Sequence, residues 1–310
     1  MVLCRAIRFD LYPDVRSNLR MLWLALLLLL AFPAAASAGT ASVQPYVEPP
    51  DIDPFGSCSR YMVCPPDMLV FDGAAGEANR VTVTEEFEGF RLVRFVVRDE
   101  GAPVQAGSGC EQIDPATVAC KAAIVGPLRL GDRDDSLTTR QGEASGGEGR
   151  DLLNVSSGGM SGDGGDDVLN GIEGDGGEGD DHLVVAAGEG GAGEDVLRCP
   201  PESLCNLDGG AGDDRLTGGD EIDLLLGRAG HDLMQGGGES DTLLGNRGHD
   251  RLAGGAGADR LRGGRGADRL FSRRDRVRDR VNCGSGREDR AQVDRRDRVR
   301  RCERVRLPRP

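Results

Sequence analysis

Seven copies of one nine-residue phrase follow each other without insertion from Gly209 to Phe271. Aligned on their first residue, they open at Gly209, Gly218, Gly227, Gly236, Gly245, Gly254 and Gly263, and read approximately G-G-x-G-x-D-x-L-x. Position six is Asp in every copy: Asp214, Asp223, Asp232, Asp241, Asp250, Asp259 and Asp268. Position eight is always large and apolar: Leu216, Leu225, Met234, Leu243, Leu252, Leu261 and Leu270. A unit that offers one such side chain cannot enclose a core alone, so the copies must stack and share one. The repeat therefore predicts a solenoid.

The local chemistry says how each copy folds. Glycines at positions one, two and four permit backbone angles closed to other residues, so six residues can form a tight turn with inward carbonyls. Residues seven to nine then make a short strand in which only the eighth side chain faces inward. Two copies would close one turn of a flattened right-handed helix carrying two parallel sheets. Equivalent residues then recur every eighteen positions, one rung or about 4.8 Å apart. One edge collects Asp214, Asp232, Asp250 and Asp268; the other collects Asp223, Asp241 and Asp259. Carboxylates stacked at that distance repel unless something neutralises them.

Charge composition sharpens this demand. Residues 39–271 carry 19 Lys plus Arg against 43 acids, a net of −24, whereas residues 272–310 carry 15 Arg against 7 acids, a net of +8. With 4% aromatics and 48 glycines, the acidic part has little to oppose its self-repulsion, and the sequence requires a cation in order to fold.

Gly209 to Phe271 closely resembles the RTX, or hemolysin-type calcium-binding, nonapeptide repeat family. The resemblance implies Ca2+ between neighbouring turns on one edge, held by backbone carbonyls and by the position-six carboxylates of copies n and n+2. It implies up to five ions in the regular block, with Asp232, Asp241 and Asp250 each shared. Less regular copies precede it at 146–153, 162–169, 176–183 and 190–197, adding Asp151, Asp167, Asp181 and Asp195 to the candidate ligands. Their starts lie 16, 14 and 14 residues apart, with 19 more to the regular block, so bulges or loops must absorb the broken phase. Position four departs from the family at Glu221 and Glu239, which either add ligands or weaken the second edge; the weakened edge is the favoured reading. His231 and His249 share position five on the first edge and are expected to be solvent-exposed filler rather than a transition-metal site.

Taken in order, residues 1–38 have the make-up of a secretory signal: arginines at 5, 8, 16 and 20, an apolar run from Met21 to Phe32, and Ala36-Ser37-Ala38 as the cleavage tripeptide. Twelve apolar residues are short for a bilayer span. The expectation is a secreted, extracellular protein without stable membrane insertion after cleavage. Residues 39–54 read as an extended linker, 55–130 as a small disulfide-stapled β module or cap whose apolar strands either pack against or form the first rungs, 131–208 as the irregular repeats and 209–271 as the regular roll. Residues 272–310 read as an arginine-rich C-terminal cap, a degenerate last section of the roll in which Asp-Arg-Val at 279–281 echoes the repeat without its glycines. The predicted fold class is thus all-β, a calcium-stabilised parallel β-roll between these two ends.

Eight cysteines remain after the signal, and an even number in an exported chain argues for disulfides. The simplest pairing joins Cys58 to Cys64, Cys110 to Cys120, Cys199 to Cys205 and Cys283 to Cys302, although other connectivities are open. Zinc is the rival reading, weakened by the lack of any C-x2-C pair. The basic tail invites nucleic acid as a partner, but its interspersed acids and lack of aromatics oppose that. Acidic surface polymers, glycans or the chain's own acidic roll fit better.

No H-E-x-x-H or G-x-S-x-G occurs, and the three histidines, His182, His231 and His249, all lie in repeats. The expectation is a non-enzymatic calcium-binding protein with a structural, adhesive or surface-interaction role. A calcium-dependent carbohydrate-active enzyme, or an accessory module of an extracellular enzyme, is the alternative.

Overall fold

A computed structural model describes residues 39–44, 68–88, 91–122, 124–272 and 277–308. The proposed signal, most of the proposed linker and Cys58 with Cys64 lie outside the described residues. Those described form an all-β parallel solenoid of about ten turns.

Two stacks of parallel strands run along its length. In the regular block the first sheet contains Asn206–Ala211, Leu224–Ala229, Thr242–Arg247 and Arg260–Arg265, each paired with the next. The second contains Arg215–Thr217, Leu233–Gly237, Arg251–Gly255 and Arg269–Phe271. The eighteen-residue rule holds: Leu216 is opposite Met234, and Leu225 opposite Leu243. All seven position-eight side chains are 0% exposed. They form two facing apolar columns, one per sheet, with neighbouring side chains alternating outward as the pleat dictates.

The solenoid starts well before Gly131. Met68–Asp72 pairs in parallel with Ile124–Gly131, and Arg80–Glu88 with Ser136–Thr139, so the expected N-terminal module supplies the first rung of both sheets. Its remaining strands fold back against that rung. Arg91–Asp99 lies antiparallel to Arg80–Glu88, and Cys110–Asp114 forms a hairpin with Thr117–Cys120, stapled by Cys110–Cys120. Gly39–Gln44 is a strand on Met68–Asp72 rather than part of an extended linker. The alternation of Ala41 and Val43 with Thr40 and Ser42 gives it an inward edge, and Ala41 is fully buried.

The irregular copies are each a whole turn apart, not half a turn. Leu152–Gly164 and Val168–Glu178 run through from one sheet into the other, with a register shift between Val155 and Gly159. The nineteen-residue interval contains the Cys199–Cys205 disulfide, a stapled loop between the two arrays as expected. The tail continues the roll: Arg280–Gly284 and Arg298–Arg300 extend the first sheet, Arg290–Gln292 and Arg304–Arg306 the second. Cys283–Cys302 closes this section. Val281 and Ala291 extend the apolar columns, while Val305 on the outermost rung is 47% exposed.

Candidate metal centre

Position six precedes the inward position eight by two residues, so strand alternation also turns its carboxylate inward. Every one of Asp151, Asp167, Asp181, Asp195, Asp214, Asp223, Asp232, Asp241, Asp250, Asp259 and Asp268 is at most 2% exposed. The structure arranges them along two edges. Asp151, Asp167, Asp181 and Asp195 join Asp214, Asp232, Asp250 and Asp268 on the first edge, and Asp223, Asp241 and Asp259 stand on the second.

Each edge is a one-way ladder of hydrogen bonds. The backbone N–H of one aspartate donates to Oδ1 of the aspartate one turn further on, as from Asp214 to Asp232 at 3.1 Å, Asp232 to Asp250 at 3.1 Å and Asp250 to Asp268 at 3.0 Å. On the first edge the ladder begins at the Asn79 N–H, passes through Asp135, and ends through Asp289 on the Glu303 carboxylate. On the second it begins at the Cys205 N–H, passes through Asp279, and ends on Asp297. Asp135 and Asp289 were missed in the sequence, and Asp279, whose Asp-Arg-Val echoes the repeat, was not counted as a ligand, because their turns keep only part of the glycine spacing. Gly131 pairs with Gly147 ahead of Asp135, and Gly284 and Gly286 lie over Gly264 and Gly266 ahead of Asp289.

The other carboxylate oxygen has no partner. Oδ2 of Asp135, Asp151, Asp167, Asp181, Asp195, Asp214, Asp232, Asp241, Asp250, Asp268 and Asp289 is buried without a hydrogen bond. Such an oxygen is costly unless a proton or a cation meets it. In the turns that open on glycine it lies against that position-one glycine. A Cβ on Gly218 would fall 2.3 Å from Asp223 Oδ2 and 2.4 Å from the Gly236 carbonyl oxygen of the next turn; one on Gly236 would meet Asp241 Oδ2 at 2.3 Å and the Gly254 oxygen at 2.4 Å. Position one is therefore glycine because a carboxylate and a carbonyl converge where a side chain would start. Such a set of oxygen donors fits a hard cation such as Ca2+.

Electrostatics point the same way. Burial, held back by the ladder hydrogen bond and reinforced by neighbouring aspartates, raises the carboxyls of Asp167, Asp214, Asp241 and Asp250 to about 7. Burial likewise raises Asp135, Asp151, Asp181, Asp195, Asp232 and Asp268 to about 6. A bound cation would reverse the dominant penalty.

The second edge differs at its first rung. Asp223 Oδ2 accepts the Gly219 N–H at 2.6 Å, so this carboxylate has both oxygens engaged. Glu221 and Glu239 are exposed at position four, where Glu239 adopts a left-handed φ of +56° while Gly257 one turn on takes +123°. His231 and His249 are exposed and stacked, with ring centroids 4.8 Å apart and planes 9° apart. Their Nδ1 atoms accept the backbone N–H groups of His249 and Ala267, which makes them rungs of an outer ladder that also contains Asp213. Cys199, Cys205 and Asp223 come close enough to suggest a metal cluster, but the two sulfurs are joined to each other and no thiolate remains.

No curated protein matches the chain. Two overlapping stretches, residues 208–243 and 235–270, each match the family described as the RTX calcium-binding nonapeptide repeat (4 copies). Together with the geometry of both edges, that match identifies residues 208–270 as RTX calcium-binding repeats folded into a β-roll.

Proposed function

We propose that this protein is an exported calcium-binding roll that folds on Ca2+, and that its role is structural or adhesive at a surface rather than catalytic. The observation that carries the reading is the file of buried carboxylate oxygens without a partner along the first edge, joined on the second by that of Asp241. Along the first edge the ligands are Asp151, Asp167, Asp181, Asp195, Asp214, Asp232, Asp250 and Asp268; along the second they are Asp241 and Asp259, with Asp223 the weakest of the set.

When bound, Ca2+ neutralises the carboxylates and ties neighbouring turns together. The chain's residues prepare the site for it. Each ladder hydrogen bond fixes Oδ1 and so aims Oδ2, the position-one glycine leaves room, and the apolar columns keep water away from the inner side. Without the ion, the same arrangement buries like charges one rung apart, which opposes closure of the roll.

The test is far-UV circular dichroism of the mature chain from residue 39, first with a calcium chelator and then through a calcium titration, beside calorimetric counting of bound ions. A coil-like spectrum that converts to β on adding Ca2+, with several ions per chain, is expected. A spectrum indifferent to chelator would refute the coupling of folding to calcium.

A further inference from the structure

Side chains at positions seven, nine and two point outward from the first sheet, and their register sorts them by charge along the roll. The N-terminal rungs are acidic: Glu173 and Asp175, then Glu189, then Asp208. They surround a shallow groove floored by Gly174 and Gly188 and also lined by Leu226 and Arg228. The two central rungs carry Leu224 and Leu226, then Thr242 and Leu244, all half-buried, and the one charge among them, the exposed Arg228, pairs with Asp208 of the preceding rung. The C-terminal rungs are basic: Arg260 and Arg262, then Arg280, then Arg298 and Arg300, all exposed.

Among the described residues, none of those five arginines, and none of Glu173, Asp175 and Glu189, forms an ion pair. Arg260, Arg280 and Arg298 are adjacent in register, as are Asp175, Glu189 and Asp208. Like charges on neighbouring strands are unfavourable unless an opposite charge comes from outside the sheet.

The order acid, apolar, base is its own complement under a two-fold rotation. We propose that this face is the contact surface of an antiparallel homodimer, with the two-fold axis between the strands Leu224–Ala229 and Thr242–Arg247. Rotation about that axis puts Asn206–Ala211, whose Asp208 also pairs with Arg228 of its own chain, opposite Arg260–Arg265 of the second copy. It puts Ala187–Ala192 opposite Arg280–Gly284, with Glu189 facing Asn282 between Arg262 and Arg300 and diagonal to Arg280, and it puts Glu173 and Asp175 opposite Arg298 and Arg300. Leu224 and Leu226 meet Thr242 and Leu244 at the centre. This is an isologous contact, closed at two copies.

The size of the face suits such a contact. Eight strands at about 4.8 Å, each up to six residues wide at about 3.3 Å, offer about 700 Å² per copy. Twice that, about 1,400 Å², lies within the span of specific interfaces. The second sheet does not have this symmetry. Its outward file runs from Val168, His182 and Val196 to Arg215, Leu233, Arg251, Arg269, Arg290 and Arg304, with no acidic run to answer its arginines.

The experiment is sedimentation velocity of the full mature chain in saturating calcium, at low and high salt, on wild type and two charge-reversed variants. One variant is Arg280→Glu with Arg298→Glu; the other is Glu173→Arg with Glu189→Arg. All four positions are outward, and a circular dichroism spectrum with calcium checks each fold separately from the association. Wild type should be a dimer at low salt, with a dissociation constant raised at least tenfold at high salt. Each variant alone should be monomeric, because its two halves then repel across the axis. An equimolar mixture should give a heterodimer, in which both reversed patches face each other. A monomeric wild type, dimers of either variant alone, or a mixture that stays monomeric while both variants keep the β spectrum would each overturn the proposal.

Discussion

Asp232 sits where the two demands on a position-six carboxylate can be separated. Its side chain is 1% exposed. Oδ1 accepts the Asp214 N–H at 3.1 Å, and Oδ2 has no partner. Asp232→Asn keeps an acceptor for the ladder but removes the charge and one ligand oxygen. Asp232→Ala removes both and leaves the Asp214 N–H buried without a partner. In chelator, where the roll is expected to fold only as the pH falls, the asparagine variant should hold its β spectrum to a higher pH than wild type because a buried unpaired charge is gone, and the alanine variant, which also loses about 1–3 kcal/mol for that N–H, should fall below the asparagine variant. In calcium the asparagine variant should fall behind. A site at ligand tenfold above its Kd contributes about 1.4 kcal/mol by linkage, and a carboxylate shared by two sites removes about 3 kcal/mol. At about 2–4 °C per kcal/mol, the melting temperature in calcium should fall by about 6–12 °C. The assay is a thermal melt in calcium and a circular dichroism pH titration in chelator, for all three proteins. If Asp232→Asn melts with wild type in calcium, Oδ2 is not a ligand; if in chelator it loses its β spectrum at a lower pH than wild type, the orphaned oxygen is not a cost.

Other consequences can be measured on the same footing. Gly227→Ala would place a Cβ 2.2 Å from Asp232 Oδ2 and should weaken calcium binding and lower stability by at least about 2 kcal/mol, whereas Gly219→Ala, whose nearest atom is 3.6 Å away, should stay within about 0.5 kcal/mol in melts with calcium. Glu239→Gly relieves a left-handed non-glycine residue and should stabilise the calcium-loaded roll by about 1 kcal/mol, again read from melts. Because folding raises the position-six carboxyls from 3.8 to about 6 or 7, the folded calcium-free chain binds more protons than the unfolded one between those values. Its stability should therefore be fully present below about pH 4 and be lost as pH rises towards 7, which chelator-containing circular dichroism across that range would detect. Calcium binding near pH 6.5 should release protons, visible as a buffer-dependent heat in calorimetry. Replacing Cys283 and Cys302 by Ala opens a loop with a separation of 19 and should cost about 3 kcal/mol, confined to the last turns and readable by hydrogen exchange there.

The regular block was legible because its chemistry is periodic. A glycine that must vacate space, a carboxylate that must turn in and a leucine that must be buried recur at fixed intervals, so residue 216 predicts residue 234. The disulfides at Cys110–Cys120, Cys199–Cys205 and Cys283–Cys302 followed from proximity in sequence. Elsewhere the same fold is built without the same letters. Ahead of Asp135 only Gly131 of the glycine pattern remains, and whether the strands Met68–Asp72 and Arg80–Glu88 pack against the first rungs or form them is decided by their parallel partners, which no local pattern contains. The 14-residue spacings misled for a related reason. They are complete turns in which the second edge has been shortened, a fact about three-dimensional closure that counting in nines does not contain.

That shortening leaves the two edges unequal. The first has a carboxylate in every turn from Asp135 to Asp289, whereas the second has them only from Asp223 onward. Loaded with ions, the C-terminal half would be riveted along both sides and the N-terminal half along one. Pulled from its ends, the molecule should yield on the unriveted side, where Gly171, Ile172 and Val185 turn the chain, well before the regular repeats give way. A single-molecule force trace in calcium would then show a compliant first extension followed by a stiff second one, a mechanical gradient written by the length of a turn.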